Sequence, residues 1–83
     1  MNNSEPLITA DLYLTAALIV SGHRPQQLIP EHRRTLFLFD SAGVRETANR
    51  YYSGSLKVDA ISYAEALRSA KGAAINLAGR GGQ

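Results

Sequence analysis

The stretch Arg34-Thr-Leu-Phe-Leu-Phe-Asp40 places four large apolar residues in a row, from Leu36 to Phe39, without the gaps of a helical pattern. Both phenylalanines of the protein, Phe37 and Phe39, lie in it. Both alternating sets of positions are mostly apolar, which predicts a β-strand that is covered on both faces. We therefore expect the hydrophobic core to form around this strand.

The length and composition predict one small domain with a thin core. A chain of 83 residues buries only about 60–65% of its unfolded surface. Much of its 45% hydrophobic content is alanine, which contributes little buried area per residue. Domains of this kind are commonly stabilised by a disulfide, a metal or a partner. The absence of cysteine excludes a disulfide and a cysteine-type zinc site, and two histidines cannot form a closed metal site. A partner is the remaining option.

The charge and the hydropathy pattern predict a cytoplasmic protein without membrane contact. Nine lysines and arginines against seven acidic residues give a net charge of +2, which falls short of the basic surface of a dedicated DNA-binding domain. The first residues, Met-Asn-Asn-Ser-Glu-Pro, lack the basic region and apolar core of a signal peptide. The longest apolar run, Leu12 to Val20, is too short to cross a bilayer.

The segment from Thr9 to Gly22 predicts the first helix. Thr9 is the expected N-cap and Gly22 the expected C′ residue. A buried strand is the alternative for Leu12 to Val20, but the length and the caps favour a helix. The helical face expected to be buried consists of Leu12, Tyr13, Ala16, Ala17, Ile19 and Val20.

Two further helices are predicted after the strand. Asp40 or Ser41 caps a helix over residues 42–52, and Asp59 caps another over residues 60–77. The last helix is expected to bury Ala60, Ala64, Leu67 and Ala74.

A β-hairpin completes the predicted fold. Leu28 and Ile29 indicate a short strand that Pro30 ends, and residues 31–34 connect it to the phenylalanine strand. The fold class is α+β, a small single domain in the order α-β-β-α-α, with the hairpin packed against three helices. Residues 1–7 are expected to form a flexible arm, residues 8–78 the domain and residues 79–83 a flexible tail.

The chain contains several scattered motifs: Thr9-x-Asp-Leu-Tyr-Leu-x-Ala-Ala17, Gly22-His23, Phe37-x-Phe39, Tyr51-Tyr52-x-Gly54-x-Leu-x-Val-Asp-Ala60, Leu67 and Lys71. Together they resemble a family of short uncharacterised domains of unknown function found in bacteria and phages. The likeness covers residues 9 to 71. It implies one compact domain and an origin in a phage or mobile element, and it implies no active-site residue.

The sequence contains no recognisable catalytic, cofactor or metal motif, and we expect the protein not to be an enzyme. Asp11, Asp40 and Asp59 precede helices, where carboxylates bind backbone N–H groups, so we interpret them as capping residues. His23 and His32 flank the hairpin and are interpreted as solvated. No cofactor and no small-molecule substrate are predicted.

Basic and aromatic residues raise the alternative of weak nucleic-acid binding, since such pairs hold phosphates and stack on bases. The candidate contacts are Arg24, Arg33, Arg34, Arg50 and Tyr52. A simpler interpretation is that these residues solvate a small protein and cover its core. Glu31 and Glu46 dilute the positive field, which favours the simpler interpretation.

The hairpin also predicts self-association. A two-stranded hairpin is marginal alone and leaves an unpaired backbone edge, which two copies satisfy by pairing about a two-fold axis. The candidate edge residues are Leu28, Ile29, Leu36 and Leu38. A monomer with a hydrated edge is the alternative. The sequence thus predicts a non-catalytic interaction or accessory module, a homodimer through its hairpin edge, or else a weak nucleic-acid-binding accessory protein of a phage or mobile element.

Overall fold

The structure, a computed structural model, describes residues 6 to 81 and has six elements. In chain order they are β1 (Leu7–Thr9), α1 (Leu12–Val20), β2 (Pro25–Glu31), β3 (Arg34–Phe39), α2 (Val44–Ser53) and α3 (Ala60–Gly81). The α+β class, the order α-β-β-α-α and the packing of a hairpin against three helices are confirmed. The structure adds one strand, β1, at the start.

The strands form an antiparallel sheet in the order β1-β3-β2, with β3 in the centre. In β1, Leu7 pairs with Phe39 and Thr9 pairs with Phe37. The predicted hairpin is present as β2 and β3, but the sheet has a third strand that the sequence did not predict, because β1 occupies the other side of β3. Of the predicted arm, residues 1–5 lie outside the described residues, whereas Leu7 belongs to the sheet.

The core forms on one face of β3. Phe37 is 1% exposed and Phe39 is 0% exposed, which confirms the phenylalanine strand as its centre. All three helices contribute to the same buried cluster: Leu14 and Leu18 from α1, Val44 and Ala48 from α2, and Ala70 from α3. The opposite face carries Leu36 and Leu38, which are only half-buried. The expectation that both faces of the strand are covered is therefore wrong.

The N-cap of helix α1 lies two residues later than predicted. Asp11 is the N-cap, and its Oδ1 accepts from the N–H groups of Tyr13 at 2.9 Å and Leu14 at 3.2 Å. Thr9, the predicted cap, lies in β1, and its hydroxyl oxygen accepts from the N–H of Asp11 at 3.0 Å. Five consecutive residues, 14 to 18, are buried because α1 packs against both α2 and α3 as well as the core. The predicted face is wrong at Tyr13, which is 58% exposed.

Helix α2 begins at Val44 rather than at residue 42. Gly43 is its N-cap and has a φ of +81°, a left-handed conformation that side-chain-bearing residues adopt only with strain. No side chain caps this end, so the predicted capping by Asp40 or Ser41 is wrong.

Helix α3 begins where predicted and is capped by Asp59, whose Oδ2 accepts from the Ser62 N–H at 2.8 Å and hydroxyl at 2.9 Å. These bonds, the backbone one first, hold the pKa of the Asp59 carboxyl below its ordinary value. The helix continues to Gly81, beyond the predicted domain end at residue 78. Among residues 60–77 the buried ones are Ala66 and Ala70. Of the predicted residues, Leu67 and Ala74 are half-buried, and Ala60 and Ala64 are exposed.

Strand β2 is longer than predicted and continues through Pro30 to Glu31. The turn between β2 and β3 therefore contains only His32 and Arg33. His32 has a φ of +54°, which a tight reversal of this kind requires.

Candidate interaction surface

The face of the sheet that points away from the helices is apolar. Residues that pair across neighbouring strands project to the same face of a sheet. Ile8 pairs with Leu38, and Ile29 pairs with Leu36. Ile8 is 53% exposed, and the other three are half-buried. We name this group of four, Ile8, Ile29, Leu36 and Leu38, the open sheet face.

The margin of the open sheet face carries one charge of each sign. Arg34 and Glu31 pair across β3 and β2, and Nη2 of Arg34 lies 3.0 Å from Oε1 of Glu31. The Nε–H of Arg34 donates to the same oxygen at 3.1 Å. Gln27, opposite Leu38, adds a neutral polar group. The margin is therefore polar but close to neutral.

The four residues of the predicted dimer edge do not lie on one edge. Leu36 and Leu38 belong to β3, the central strand, and Leu38 pairs with Ile8 on one side and with Gln27 on the other. Leu28 and Ile29 do lie on an edge strand, β2. The predicted edge is therefore corrected, and Leu36 and Leu38 contribute to a face instead.

The free backbone edge of β2 is poor in hydrogen-bond donors. Pro25 lies opposite Phe39 and Pro30 lies opposite Thr35, and proline has no N–H to donate. Edge strands accommodate proline where the missing N–H would point away from the neighbouring strand. Both prolines therefore remove donors from the outer edge, and proline at such an edge discourages pairing with another strand.

The arginines proposed as nucleic-acid contacts lie on separate parts of the molecule. Arg24 immediately precedes β2, and Arg33 and Arg34 lie at its other end, which for a seven-residue strand is about 20 Å away. Arg50 and Tyr52 belong to the last turns of α2. Tyr52 is 67% exposed and packs its ring edge-on against Tyr51, with 5.3 Å between ring centroids. The structure thus separates Arg24 from the Arg33–Arg34 pair.

His23 is not a solvated histidine, which corrects the interpretation from sequence. Its Nδ1 lies 2.5 Å from Oγ of Ser41, and its Nε2 lies 3.0 Å from Oγ1 of Thr47. The Thr47 hydroxyl donates its only proton to the carbonyl oxygen of Gly43 at 3.2 Å. We therefore assign the Nε2–H tautomer to the neutral ring, with Nδ1 accepting the proton of the Ser41 hydroxyl.

This network joins the loop after α1 to the start of α2. Ser41 borders a shallow groove of about 280 Å³, lined also by Arg24, Pro25, Gln26 and Asp40. The pairing with His23 polarises the Ser41 hydroxyl, and Thr47 fixes the orientation of the ring. Because α2 has no side-chain cap, the chief consequence is to hold the α2 start against the rest of the fold. His32, in contrast, is exposed in the hairpin turn.

The described part of the chain shows neither a metal cluster nor a membrane span. Among residues 6 to 81, no three histidine, cysteine or acidic side chains form a group that could hold a metal ion. Within the same range, every helix is too short or too polar to cross a bilayer.

Ile8 is the surface residue that the sequence interpretation missed. Its neighbours Leu7 and Thr9 point to the covered face, so the segment alternates as a strand does. Three residues are too few for that alternation to stand out, and the sequence analysis predicts no strand before the first helix. This strand becomes recognisable only from its pairing with β3 in the folded protein.

Comparisons with protein-family models, with curated proteins and with solved structures found no match to this chain. The resemblance to short bacterial and phage domains, and the mobile-element origin that it implies, stay predictions.

Proposed function

We propose that this protein is a small non-catalytic interaction module that self-associates through the open sheet face. The observation that carries the proposal is the cluster of four aliphatic side chains, Ile8, Ile29, Leu36 and Leu38, on the side of the sheet away from the helices. Contiguous exposed apolar patches of this kind commonly mark interaction sites. The sequence predicts self-association through the hairpin edge, whereas this proposal places the contact on the open sheet face.

The electrostatics of the margin favour a second copy as the occupant. Arg34 and Glu31 contribute one charge of each sign, so two identical faces meet without net repulsion. A two-fold axis makes the contact self-complementary. Two sheets packed face to face lie about 10 Å apart, with their helices on the outside.

The area of the open sheet face determines how strong the self-association is expected to be. The three strands have 3, 7 and 6 residues and cover about 250 Å² of sheet, whereas a stable interface buries about 800 Å² on each partner. We therefore expect weak, concentration-dependent association, with a dissociation constant on the order of 100 μM.

Analytical ultracentrifugation from about 10 μM to about 1 mM, a range that brackets this dissociation constant, tests the proposal. Wild-type protein should shift from monomer to dimer across this range. Ile8→Lys should remain monomeric, because burying an unpaired ammonium in an apolar contact is costly. Ile61→Lys is the matched control, since Ile61 is 71% exposed on α3 and the substitution makes the same change of charge and volume.

Two results would contradict the proposal. One is a wild-type protein that stays monomeric at the highest concentration. The other is an equal effect of Ile8→Lys and Ile61→Lys, which would assign any weakening to the added charge rather than to the face. Circular dichroism of each variant separates loss of association from loss of fold.

The alternative function, weak nucleic-acid binding, rests on Arg50 and Tyr52, which are exposed together on α2, and on Arg33 and Arg34 at the hairpin turn. Fluorescence anisotropy with a labelled single-stranded oligonucleotide tests it. Binding tighter than about 100 μM at physiological salt, lost as salt rises, would favour the alternative. The interaction-module proposal expects no such binding.

A further inference from the structure

A groove lies between α3 and the segment that joins α1 to β2. It has a volume of about 450 Å³, within the range of about 300–1,000 Å³ that is usual for pockets that hold small organic ligands. Helix α3 forms one wall with Ser62, Glu65, Ala66 and Ser69. These positions recur at helical spacing, so they share one face of the helix. We name this groove the α1–α3 groove.

Part of the α1–α3 groove is apolar. Ile19 and Val20 line it at the end of α1, and Pro25 lines it at the start of β2. All three are half-buried, and Ala66, 8% exposed, completes this part of the groove from α3. An aliphatic group of a ligand would lose its contact with water here, which favours binding.

The α1–α3 groove also carries one charge of each sign. Arg24 and Glu65 both line it, and both are exposed. Neither side chain forms an ion pair or a hydrogen bond with any of residues 6 to 81. In particular, no nitrogen of Arg24 lies within 4.0 Å of a carboxylate oxygen of Glu65. A ligand that carries both charges can therefore bind between them without breaking an existing ion pair.

Two hydroxyls lie about one helical turn before and after Glu65 on the same wall. The Ser62 hydroxyl donates its proton to Oδ2 of Asp59 at 2.9 Å, which leaves its oxygen free to accept. The Ser69 hydroxyl has no hydrogen-bond partner among residues 6 to 81. An ammonium has three N–H groups to donate and no acceptor. A carboxylate flanked by accepting hydroxyl oxygens therefore suits an ammonium.

We propose that the α1–α3 groove binds a free α-amino acid with a bulky aliphatic side chain, such as leucine. The ammonium of the ligand binds Glu65, and its carboxylate accepts two hydrogen bonds from the guanidinium of Arg24. Its side chain covers Ile19 and Val20. The sequence analysis predicts no small-molecule substrate, because Arg24 and Glu65 reach the same groove only on folding. The groove shares no residue with the open sheet face, so this proposal is independent of self-association.

The test uses the full chain labelled with ¹⁵N and titrated with leucine at about pH 7, where leucine carries both charges. The amide signals of Val20, Arg24 and Ala66 should shift in ¹H–¹⁵N correlation spectra, with a dissociation constant on the order of 1 mM. Three altered probes separate the contacts. N-acetyl-leucine lacks the ammonium, leucinamide lacks the carboxylate and glycine lacks the side chain. Each should bind about tenfold more weakly, because each removes one contact.

Substitutions in the protein supply matched pairs. Arg24→Gln and Glu65→Gln should each weaken leucine binding by about tenfold. Both residues are exposed, so neither substitution should disturb the fold. Arg68→Gln and Glu46→Gln make the same changes at exposed residues outside the groove and should leave the affinity unchanged.

Three results would overturn the proposal. The first is an absence of shifts at about 10 mM leucine, about ten times the expected dissociation constant. The second is a set of shifts confined to Leu36 and Leu38, which would assign the amino acid to the open sheet face instead. The third is equal weakening by Arg24→Gln and Arg68→Gln, which would assign the effect to net charge rather than to the groove.

Discussion

The Nδ1 atom of His23 lies 2.5 Å from the hydroxyl oxygen of Ser41, and this contact ties the end of α1 to the start of α2. With Thr47 on its other nitrogen, the ring joins the loop before α2 to the first turn of that helix. His23→Ala should lower the free energy of unfolding by about 1–2 kcal/mol, because two partly buried hydroxyls lose their partner.

Urea titration of His23→Ala against His32→Asn checks this expectation. His32 is the exposed histidine of the turn, with a φ of +54°, and asparagine tolerates that backbone conformation. Equal midpoints for the two variants would show that the His23 network does not stabilise the fold.

Thr15 offers a substitution that should stabilise the protein. It is 0% exposed in α1, and its hydroxyl oxygen has no hydrogen-bond partner among residues 6 to 81. A buried polar group without a partner costs about 1–3 kcal/mol, and valine has nearly the same shape. Thr15→Val should therefore raise the thermal midpoint by several degrees, as about 1 kcal/mol does for a domain of this size. Thr15→Ser, which keeps the hydroxyl and removes the methyl group, should lower it. A lower midpoint for Thr15→Val would mean that the hydroxyl has a favourable contact.

The sequence was sufficient to locate the core because Phe37 and Phe39 alternate within one apolar run. It was insufficient to decide which face the helices cover, since Leu36 and Leu38 are as apolar as their neighbours. That choice depends on where Leu14, Leu18 and Val44 pack, which is a tertiary property. The sequence therefore predicts strand β3 itself, but not that Leu36 and Leu38 lie on a face that the helices leave uncovered.

The sequence predicts the start of a helix correctly where a nearby side chain caps the backbone, and incorrectly where the start depends on other contacts. Asp59 caps α3 as predicted because its carboxylate and the Ser62 N–H are only three residues apart. The start of α2 was misplaced because it depends on the left-handed backbone of Gly43 and on His23, which is distant in sequence. The cleft that Ala10 and Ile75 line could not be predicted, since these residues meet only after folding.

The raised pKa values of two tyrosine hydroxyls predict that the protein loses stability at alkaline pH. Burial, and then the nearby Asp11 carboxylate, raise the pKa of Tyr51 above its ordinary value of 10.0, and the same two causes raise the pKa of Tyr63. A pKa that is raised by folding contributes stability below pH 10, and that contribution is lost as the pH rises through the folded-state pKa. The free energy of unfolding should therefore fall above about pH 10.

Denaturant titrations at several alkaline pH values measure this slope. Tyr51→Phe should flatten it, because phenylalanine has no proton to lose. Tyr52→Phe is the matched control, since the adjacent ring is 67% exposed. If both variants flatten the slope equally, burial of Tyr51 is not its cause.

Phe37 is the residue whose loss the fold should tolerate least. It is 1% exposed, and on the central strand it lies opposite Thr9 on one side and Leu28 on the other. Truncation of a buried phenylalanine to alanine costs about 3–5 kcal/mol, and a domain of this size has only about 5–8 kcal/mol in total. Phe37→Ala should therefore bring the protein close to unfolding at room temperature. Arg33→Ala, in the exposed turn, should stay within about 0.5 kcal/mol of wild type. Urea titration compares the two, and equal midpoints would show that the core is centred elsewhere, with α1 as the next candidate.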